Sequence, residues 1–343
     1  MIESINFKED LLHWYYENKR QMPWRETTNP YYIWLSEVML QQTQVNTVKP
    51  YYNAFIKAFP TIEDLSNAKE EEVLKYWEGL GYYSRVRNFH EAVKEVHESY
   101  NGVVPTDPTE FKHLKGVGPY TNAAVMSIVH NHPLPAVDGN VLRVWSRLTS
   151  NYADIQLQKT KKTFEEELMP YVQTNSGDFN QAMMELGATV CTPKNPICLF
   201  CPVQTHCEAF HQGVVTELPV KKKKIKKKTV NYVVLYITNK NGEVLVRKRS
   251  AKLLHNMWEF PMFEHDESIH SIEEELDAVI DIESEPEFTT KHVFTHMTWN
   301  MEVYRAYTQK NSFKAPYRWI SKQQKDQLSF STSMSKIFSK MNR

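Results

Sequence analysis

The chain has 343 residues, in which 41 lysines and arginines are balanced by 41 aspartates and glutamates. That length accommodates two domains, each with its own core, and the charge balance excludes an overall attraction to a polyanion, so any nucleic-acid contact must come from local clusters. The opening MIESINFKEDLLHWYYENKR scatters charge throughout and reads as neither a signal nor a transit peptide, and no later stretch is apolar for long enough to cross a bilayer. A soluble, cytoplasmic protein is expected.

From about residue 5 to 212 apolar residues recur at three and four positions, as in Phe7, Leu11, Trp14 and Tyr15 and again in Val73, Leu74, Trp77 and Leu80. This predicts helices, broken at Pro23, Pro30, Pro60, Pro105, Pro108, Pro133 and Pro135. In NPYYIWLSEVMLQQTQV, Glu37 falls mid-helix with Ile33, Trp34, Leu40 and Gln41 one turn away. A carboxyl on so apolar a face has its pKa raised, which suits a general acid; a buried glutamate held by a core hydrogen bond fits the segment equally well.

In HLKGVGPYTNAAVMSIV, Gly116 and Gly118 form a hairpin before a helix opened by Pro119, and its backbone amides suit a phosphate. A plain helix–helix turn is the simpler reading of the glycines alone. In LPAVDGNVLRVWSRL, Asp138 is placed to cap a helix N-terminus, where amides and dipole favour its ionised form. Capping alone accounts for it.

Cys191, Cys198, Cys201 and Cys207 have the spacing C-x6-C-x2-C-x5-C, with prolines at 193, 196 and 202 interrupting any helix. Four clustered cysteines read as one site and not as a disulfide framework. Four thiolates suit zinc or an iron–sulfur cluster, and ligand chemistry alone does not choose between them; four free thiols are the remaining alternative.

The run TELPVKKKKIKKKT is too charged to pack and reads as an exposed linker; its lysines at 221–228 either touch phosphates or keep the linker in solution. NYVVLYITNKNGEVLVRKR then places two β-rich runs around Asn241-Gly242, predicting a tight hairpin with positive φ at both positions. An acidic helical segment near 271–280 and a further β-rich stretch, KHVFTHMTWNMEVYRAY, complete an α+β domain. The expected organisation is a mostly helical domain over 1–215 with the cysteine loop at 191–207, a linker over 216–229, and an α+β domain over 230–343.

WLSEVMLQQTQV, WEGLGYYSRVRN, LKGVGPYTNAAV, VDGNVLRV and the cysteine loop occur in the order and approximate separations of the adenine DNA glycosylases of the MutY family, and span most of residues 20–210. The first and fourth together are highly specific. The hairpin and cysteine loop are shared with the broader helix-hairpin-helix glycosylases, including the endonuclease III relatives. The resemblance implies a mostly α, helix-hairpin-helix glycosylase fold, a [4Fe-4S] cluster on the four cysteines, and a base-excision-repair hydrolase that acts as a monomer on double-stranded DNA. Its implied substrate is adenine opposite 8-oxoguanine or guanine.

The same resemblance implies that Glu37 protonates the adenine at N7 and that Asp138 stabilises the cationic sugar. Tyr120 supports the transition state, with Asn140 orienting groups near Asp138. A base within the duplex is out of reach, so adenine is flipped out. Gln42, Thr43, Leu80 and Tyr82 are implied contacts of the opposite base, Tyr82 as an aromatic wedge; Arg20, Arg25 and Gln181 are candidates for the adenine pocket, and Gly116 and Gly118 for the DNA backbone. The endonuclease III relatives carry at position 120 a lysine that forms a Schiff base; Tyr120 cannot, which predicts a glycosylase with weak or no lyase activity.

The C-terminal part resembles the Nudix-like domain with which this family reads 8-oxoguanine. WEFPMFE matches its entry sequence, but SIEEELDAV lacks the metal-binding box, which predicts recognition without hydrolysis. Phe294-Thr295-His296 stands where the family has Phe-Ser-His. A glycosylase-lyase of another base specificity and a non-enzymatic DNA-binding scaffold are the competing readings; Tyr120 with Glu37 opposes the first, and both carboxylates oppose the second.

Overall fold

A computed structural model describes residues 4–222, 227–265 and 267–342, so residues 223–226 of the expected lysine run lie outside the described residues. The chain divides into two compact units, one of residues 1–67 and 87–223, the other of residues 68–86 and 224–343. No helix among the described residues is long and apolar enough to cross a membrane.

In chain order the helices of the N-terminal two thirds are α1 (Ser4–Asn18), α2 (Pro30–Leu40), α3 (Val45–Ala58), α4 (Ile62–Asn67), α5 (Glu70–Tyr76), α6 (Ser84–Ser99), α7 (Pro108–His113), α8 (Pro119–His130), α9 (Gly139–Leu148), α10 (Gln158–Leu168), α11 (Ser176–Thr189) and α12 (Glu208–His211). Side chains cap the starts of α2, α7 and α9. Asn29 accepts the Tyr31 amide ahead of Pro30 at the head of α2, and Asp107 accepts the amides of Thr109 and Glu110 at the head of α7. Asn131, left-handed at φ 55°, closes α8 by donating its amide to the Met126 and Ser127 carbonyls.

Around α9 and α11 the core is aromatic. Phe7, Trp145, Tyr171 and Phe179 meet there, with the Phe7 and Tyr171 rings edge to face at 5.3 Å and Tyr171 stacked on Phe179. Helix α1 supplies Phe7, Leu11, Leu12 and Tyr15 to the same cluster, and three of the cysteines pack against its margin. The cysteine loop is thereby fixed to the core shared by α1, α9 and α11.

The second unit is a twisted sheet covered on both faces. Its strands are β1 (Lys228–Thr238), β2 (Val244–Lys248), β3 (Trp258–Glu259), β4 (Met262–Glu264), β5 (Asp281–Ile282), β6 (Phe288–Val293), β7 (Met297–Tyr307) and β8 (Tyr317–Ile320), with α13 (Ile269–Leu276) and α14 (Thr332–Met341). β1 and β7 run parallel from Lys228 opposite Met297 to Thr238 opposite Tyr307. Alternation sends Val234 and Tyr236 toward Ile337 and Phe338 of α14, and Leu235 and Ile237 toward Ile272 and Leu276 of α13. A strand buried on both sides explains the unbroken apolar run VVLYI.

The expected tight turn at Asn241-Gly242 is instead a longer loop over 239–243. Only Gly242 is left-handed, because the Asn239 side chain accepts the amides of Asn241 and Glu243 and shapes the loop from its first residue.

Candidate active site

Glu37 lies on α2 and Tyr120 in the first turn of α8, and the Tyr120 hydroxyl donates to Glu37 Oε2 at 2.7 Å. Glu37 is buried among the apolar residues of its helix. Burial raises its carboxyl to about 7, with nearby Asp138 adding to the rise while the Tyr120 hydrogen bond and Arg25 oppose it. Burial, and then the adjacent Glu37 and Asp138, hold the Tyr120 hydroxyl well above its ordinary value, so it remains a donor.

Asp138 caps α9. Its Oδ1 accepts the Val141 amide at 2.7 Å and its Oδ2 accepts Asn140 Nδ2 at 2.8 Å. The capping expectation considered only groups that favour the ionised form, and burial outweighs them: the carboxyl is raised, against the amides of Val141 and Asn140, the Asn140 side chain and Arg143. Both carboxyls are therefore displaced in the same direction. They differ in the donors offered to the anion, several for Asp138 and one hydroxyl for Glu37.

Arg143, which the sequence reading left unassigned, joins this carboxylate to the cysteine loop. Its Nη2 donates to Asn140 Oδ1 at 2.9 Å and to the Gly187 carbonyl at 2.7 Å, and its Nε to the Cys191 carbonyl at 2.8 Å. Gly187 is required here because a Cβ at that position would lie 2.6 Å from the Asn140 Cβ.

Arg20 and Arg25 converge on a second residue that the sequence reading missed, Glu185 of α11. Arg20 bonds it through Nε at 2.6 Å and Nη2 at 2.9 Å, and Arg25 through Nη2 at 2.9 Å. Burial pushes the Glu185 carboxyl up, but the two guanidinium groups outweigh it and hold it below its ordinary value. The pair thus forms an ion cluster and does not present two free cations. The available signal was a lone carboxyl in the apolar run AMMELGA, the same pattern that marks Glu37.

Gln42 follows α2 in a left-handed conformation, φ 58°, and is exposed, with Thr43 half-buried behind it. Gln181 is half-buried on α11. Gly116, at φ 75°, could not carry a Cβ, which would lie 2.7 Å from the Asn88 Cβ. Gly118 caps α8, and a Cβ there would meet no atom within 4 Å, so its backbone is open to an approaching molecule.

The four cysteines are half-buried free thiols lining one cavity with Val144, Leu186 and Phe210, and Arg147 donates to Cys191 Sγ at 3.3 Å. Among the described residues no three metal-binding side chains converge on a single-ion position. An apolar cavity walled by four thiols fits a polynuclear iron–sulfur group, which offers each thiolate its own iron, better than one tetrahedral zinc.

In the second unit, Leu80 is buried and Tyr82, left-handed at φ 50°, is 44% exposed. The Phe294 ring packs between His292 at 4.5 Å and Trp299 at 4.7 Å, while Thr295 and His296 are exposed in the turn from β6 to β7. The hydroxyls of Thr295 and Tyr82 share a hydrogen bond of 2.9 Å.

Comparison with known proteins accounts for both parts. Residues 35–170 match the HhH-GPD superfamily of base excision DNA repair proteins, and residues 233–340 match the NUDIX domain. The adenine DNA glycosylase of Rattus norvegicus is 34% identical over 97% of this chain and 77% of its own length, and that of Buchnera aphidicola subsp. Baizongia pistaciae 35% identical over 86% and 84%. A thermostable thymine-DNA glycosylase of known structure is 29% identical and superposes with a TM-score of 0.55 over 60% of this chain and 95% of its own. With likeness at this level along nearly its whole length, the chain belongs to the adenine DNA glycosylase family of base-excision-repair enzymes.

Proposed function

We propose that this enzyme hydrolyses the N-glycosidic bond of adenine paired with 8-oxoguanine or guanine in duplex DNA, acting as a monomer in the cytoplasm on the nucleoid and leaving the strand intact. The observation that carries the proposal is the Glu37–Tyr120 hydrogen bond beside the capped Asp138. Breaking the bond between the sugar C1′ and the adenine requires a proton on the leaving base and a negative charge near the oxocarbenium-like sugar. Glu37, which burial keeps protonated up to about pH 7, delivers the proton to N7 of the flipped adenine while the bonding pair departs with the base. Asp138 provides the charge, oriented by Asn140 and the α9 amides. Water adds its oxygen to C1′ and its proton is released, which balances the reaction.

Tyr120 holds Glu37 and has no amine with which to form a Schiff base, which supports a glycosylase without strong lyase activity. Cys191, Cys198, Cys201 and Cys207 would hold a [4Fe-4S] cluster, whose role is to fix the loop after α11. Gln42, Thr43, Tyr82, Leu80 and the Phe294–His296 turn address the base opposite adenine; Gly116 and Gly118 take the DNA backbone, and Arg20, Arg25 and Gln181 border the adenine. Residues 1–215, apart from the 68–86 segment that belongs to the second unit, form the catalytic domain and 230–343 the 8-oxoguanine reader, joined by 216–229.

The test is a single-turnover assay on duplexes with adenine opposite 8-oxoguanine, with and without alkali. Release of adenine with strand breaks appearing only after alkali is expected. Glu37→Gln should reduce the rate by at least ~10²-fold with duplex binding retained. Strand breaks without alkali, or a Glu37→Gln rate near that of the parent, defeat the assignment.

A further inference from the structure

Residues 68–86 precede the C-terminal part by more than a hundred positions, yet they are built into its unit. The attachment is specific. Trp258 Nε1 donates to Glu71 Oε1 at 2.6 Å, Asn256 Nδ2 to Glu70 Oε1 at 3.2 Å, and Ser329 Oγ to the Glu71 carbonyl at 3.1 Å. Lys75 Nζ reaches the Leu328 carbonyl at 3.2 Å, and Ser335 Oγ of α14 donates to Glu78 Oε1 at 2.9 Å. Lys75 donates toward the 328–330 segment; in the other four bonds the donors are Asn256, Trp258, Ser329 and Ser335, and the receiving groups lie on α5 and at Glu78.

From Glu78 the chain enters Gly79–Tyr83, a turn whose φ values of 95° at Gly79, 78° at Gly81 and 50° at Tyr82 leave it little regular backbone support. Side chains replace that support. Trp77 Nε1 and Arg85 Nη2 both donate to the Gly81 carbonyl, and the Arg85 guanidinium lies 5.2 Å from the Tyr82 ring centre. The far end of the turn is held where Tyr82 meets Thr295. The root of this turn, through α5 and Glu78, and its tip, through Tyr82, are both fastened to the C-terminal fold, so that fold has a share in presenting Tyr82.

We infer that Trp258, through its bond to Glu71, is a positioning residue for Tyr82, making the 68–86 segment part of the device that reads the base opposite adenine. This rests on the reading of Tyr82 as the residue that enters the duplex. Trp258 suits the role because it is 7% exposed, is bonded through its own amide to the Ser329 carbonyl, and carries the Arg318 guanidinium 4.2 Å from its ring centre. A ring so fixed holds its N–H in one direction, and the carboxylate it meets makes the bond a strong one.

The test uses the full-length protein. Trp258→Phe removes the N–H and keeps an aromatic ring; Glu71→Ala removes the acceptor without touching the sheet, should the first variant fold poorly; Glu71→Gln retains an acceptor. Two quantities are read: amide exchange over residues 70–84, and the ratio of single-turnover adenine release opposite 8-oxoguanine to that opposite guanine. Trp258→Phe and Glu71→Ala are expected to speed exchange over 70–84 about tenfold, the scale of one lost hydrogen bond to a charged acceptor, with residues 30–58 unchanged. The ratio should fall by a similar factor and return in Glu71→Gln. Unchanged exchange over 70–84 overturns the positioning role whatever the ratio does. Faster exchange with the parental ratio overturns its link to recognition, and a parent that does not distinguish the two opposite bases refutes the underlying reading of Tyr82 while the exchange result still decides the attachment.

Discussion

Raising the Glu37 carboxyl from its ordinary 4.5 to about 7 has a consequence for rate that can be worked out. Above pH 7 the shift multiplies the fraction of enzyme holding the proton by about 300-fold, equivalent to roughly 3 kcal/mol. If that proton is the one delivered to adenine, the alkaline limb of single-turnover release under saturating enzyme should be half-maximal at or slightly above pH 7 and fall about tenfold per pH unit beyond. Tyr120→Phe removes the hydroxyl that favours the ionised form, so the falling limb should move to higher pH even as the maximum rate drops. Stability gives an independent check. The native state keeps a proton between pH 4.5 and 7 that the unfolded chain has released, so Glu37 costs stability progressively as pH rises through that window and by a constant amount above it. Glu37→Gln should therefore be more stable than the parent at pH 8 in urea titrations while nearly inactive. A rate that is level from pH 5.5 to 9, or half-maximal near 4.5, would refute the reasoning.

Gly187→Ala should slow adenine release about 10-fold or more and lower the melting temperature, since its Cβ would press on Asn140 and disturb the hydrogen bond to Asp138; single-turnover rates with calorimetry test this. A release rate equal to the parent's would mean that Asn140 does not orient Asp138. Cys201→Ser is expected to abolish the iron content measured by elemental analysis and to weaken DNA binding in gel-shift titrations; stoichiometric zinc in anaerobically purified parent would contradict the cluster assignment. Thr295→Ala removes the partner of the Tyr82 hydroxyl and should lower the preference for 8-oxoguanine over guanine more than it lowers the rate on guanine, with equal losses on both pointing to a purely stabilising contact.

Local chemistry was legible wherever one segment carried both the residue and its environment. Glu37 on an apolar helix and Asp138 ahead of VLRV needed no partner to be noticed, and the run VVLYI marked a strand, although not that both of its faces are covered. What could not be read were the groups that complete each residue from another element: Tyr120 on Glu37, Glu185 beneath Arg20 and Arg25, Gly187 against Asn140. The direction of the Asp138 shift was hidden for the same reason, because burial is set by neighbouring helices and capping by the residue's own. Chain order also concealed the membership of 68–86 in the second unit, since its attachments reach residues such as Trp258 and Ser335 that are far away in sequence.

Two buried carboxyls that both resist ionisation could have been equivalent, and the arrangement of donors is what separates them. Asp138 receives a helix-terminal amide and the amide side chain of Asn140, and the latter is itself fixed by Arg143. Arg143 is in turn fixed by the carbonyls of Gly187 and Cys191, both at the end of α11 where the cysteine loop begins. The donors that favour the Asp138 anion thus depend on the position of the loop that follows α11, whereas Glu37 depends on α2 and a single hydroxyl from α8. A loop held in place keeps Asn140 turned toward Asp138, which in the proposed mechanism faces the developing cation; a loop released would take away the Asn140 bond without touching the Tyr120–Glu37 pair. On the proposed mechanism, replacing the loop cysteines should therefore weaken charge stabilisation at Asp138 and leave proton donation from Glu37 intact.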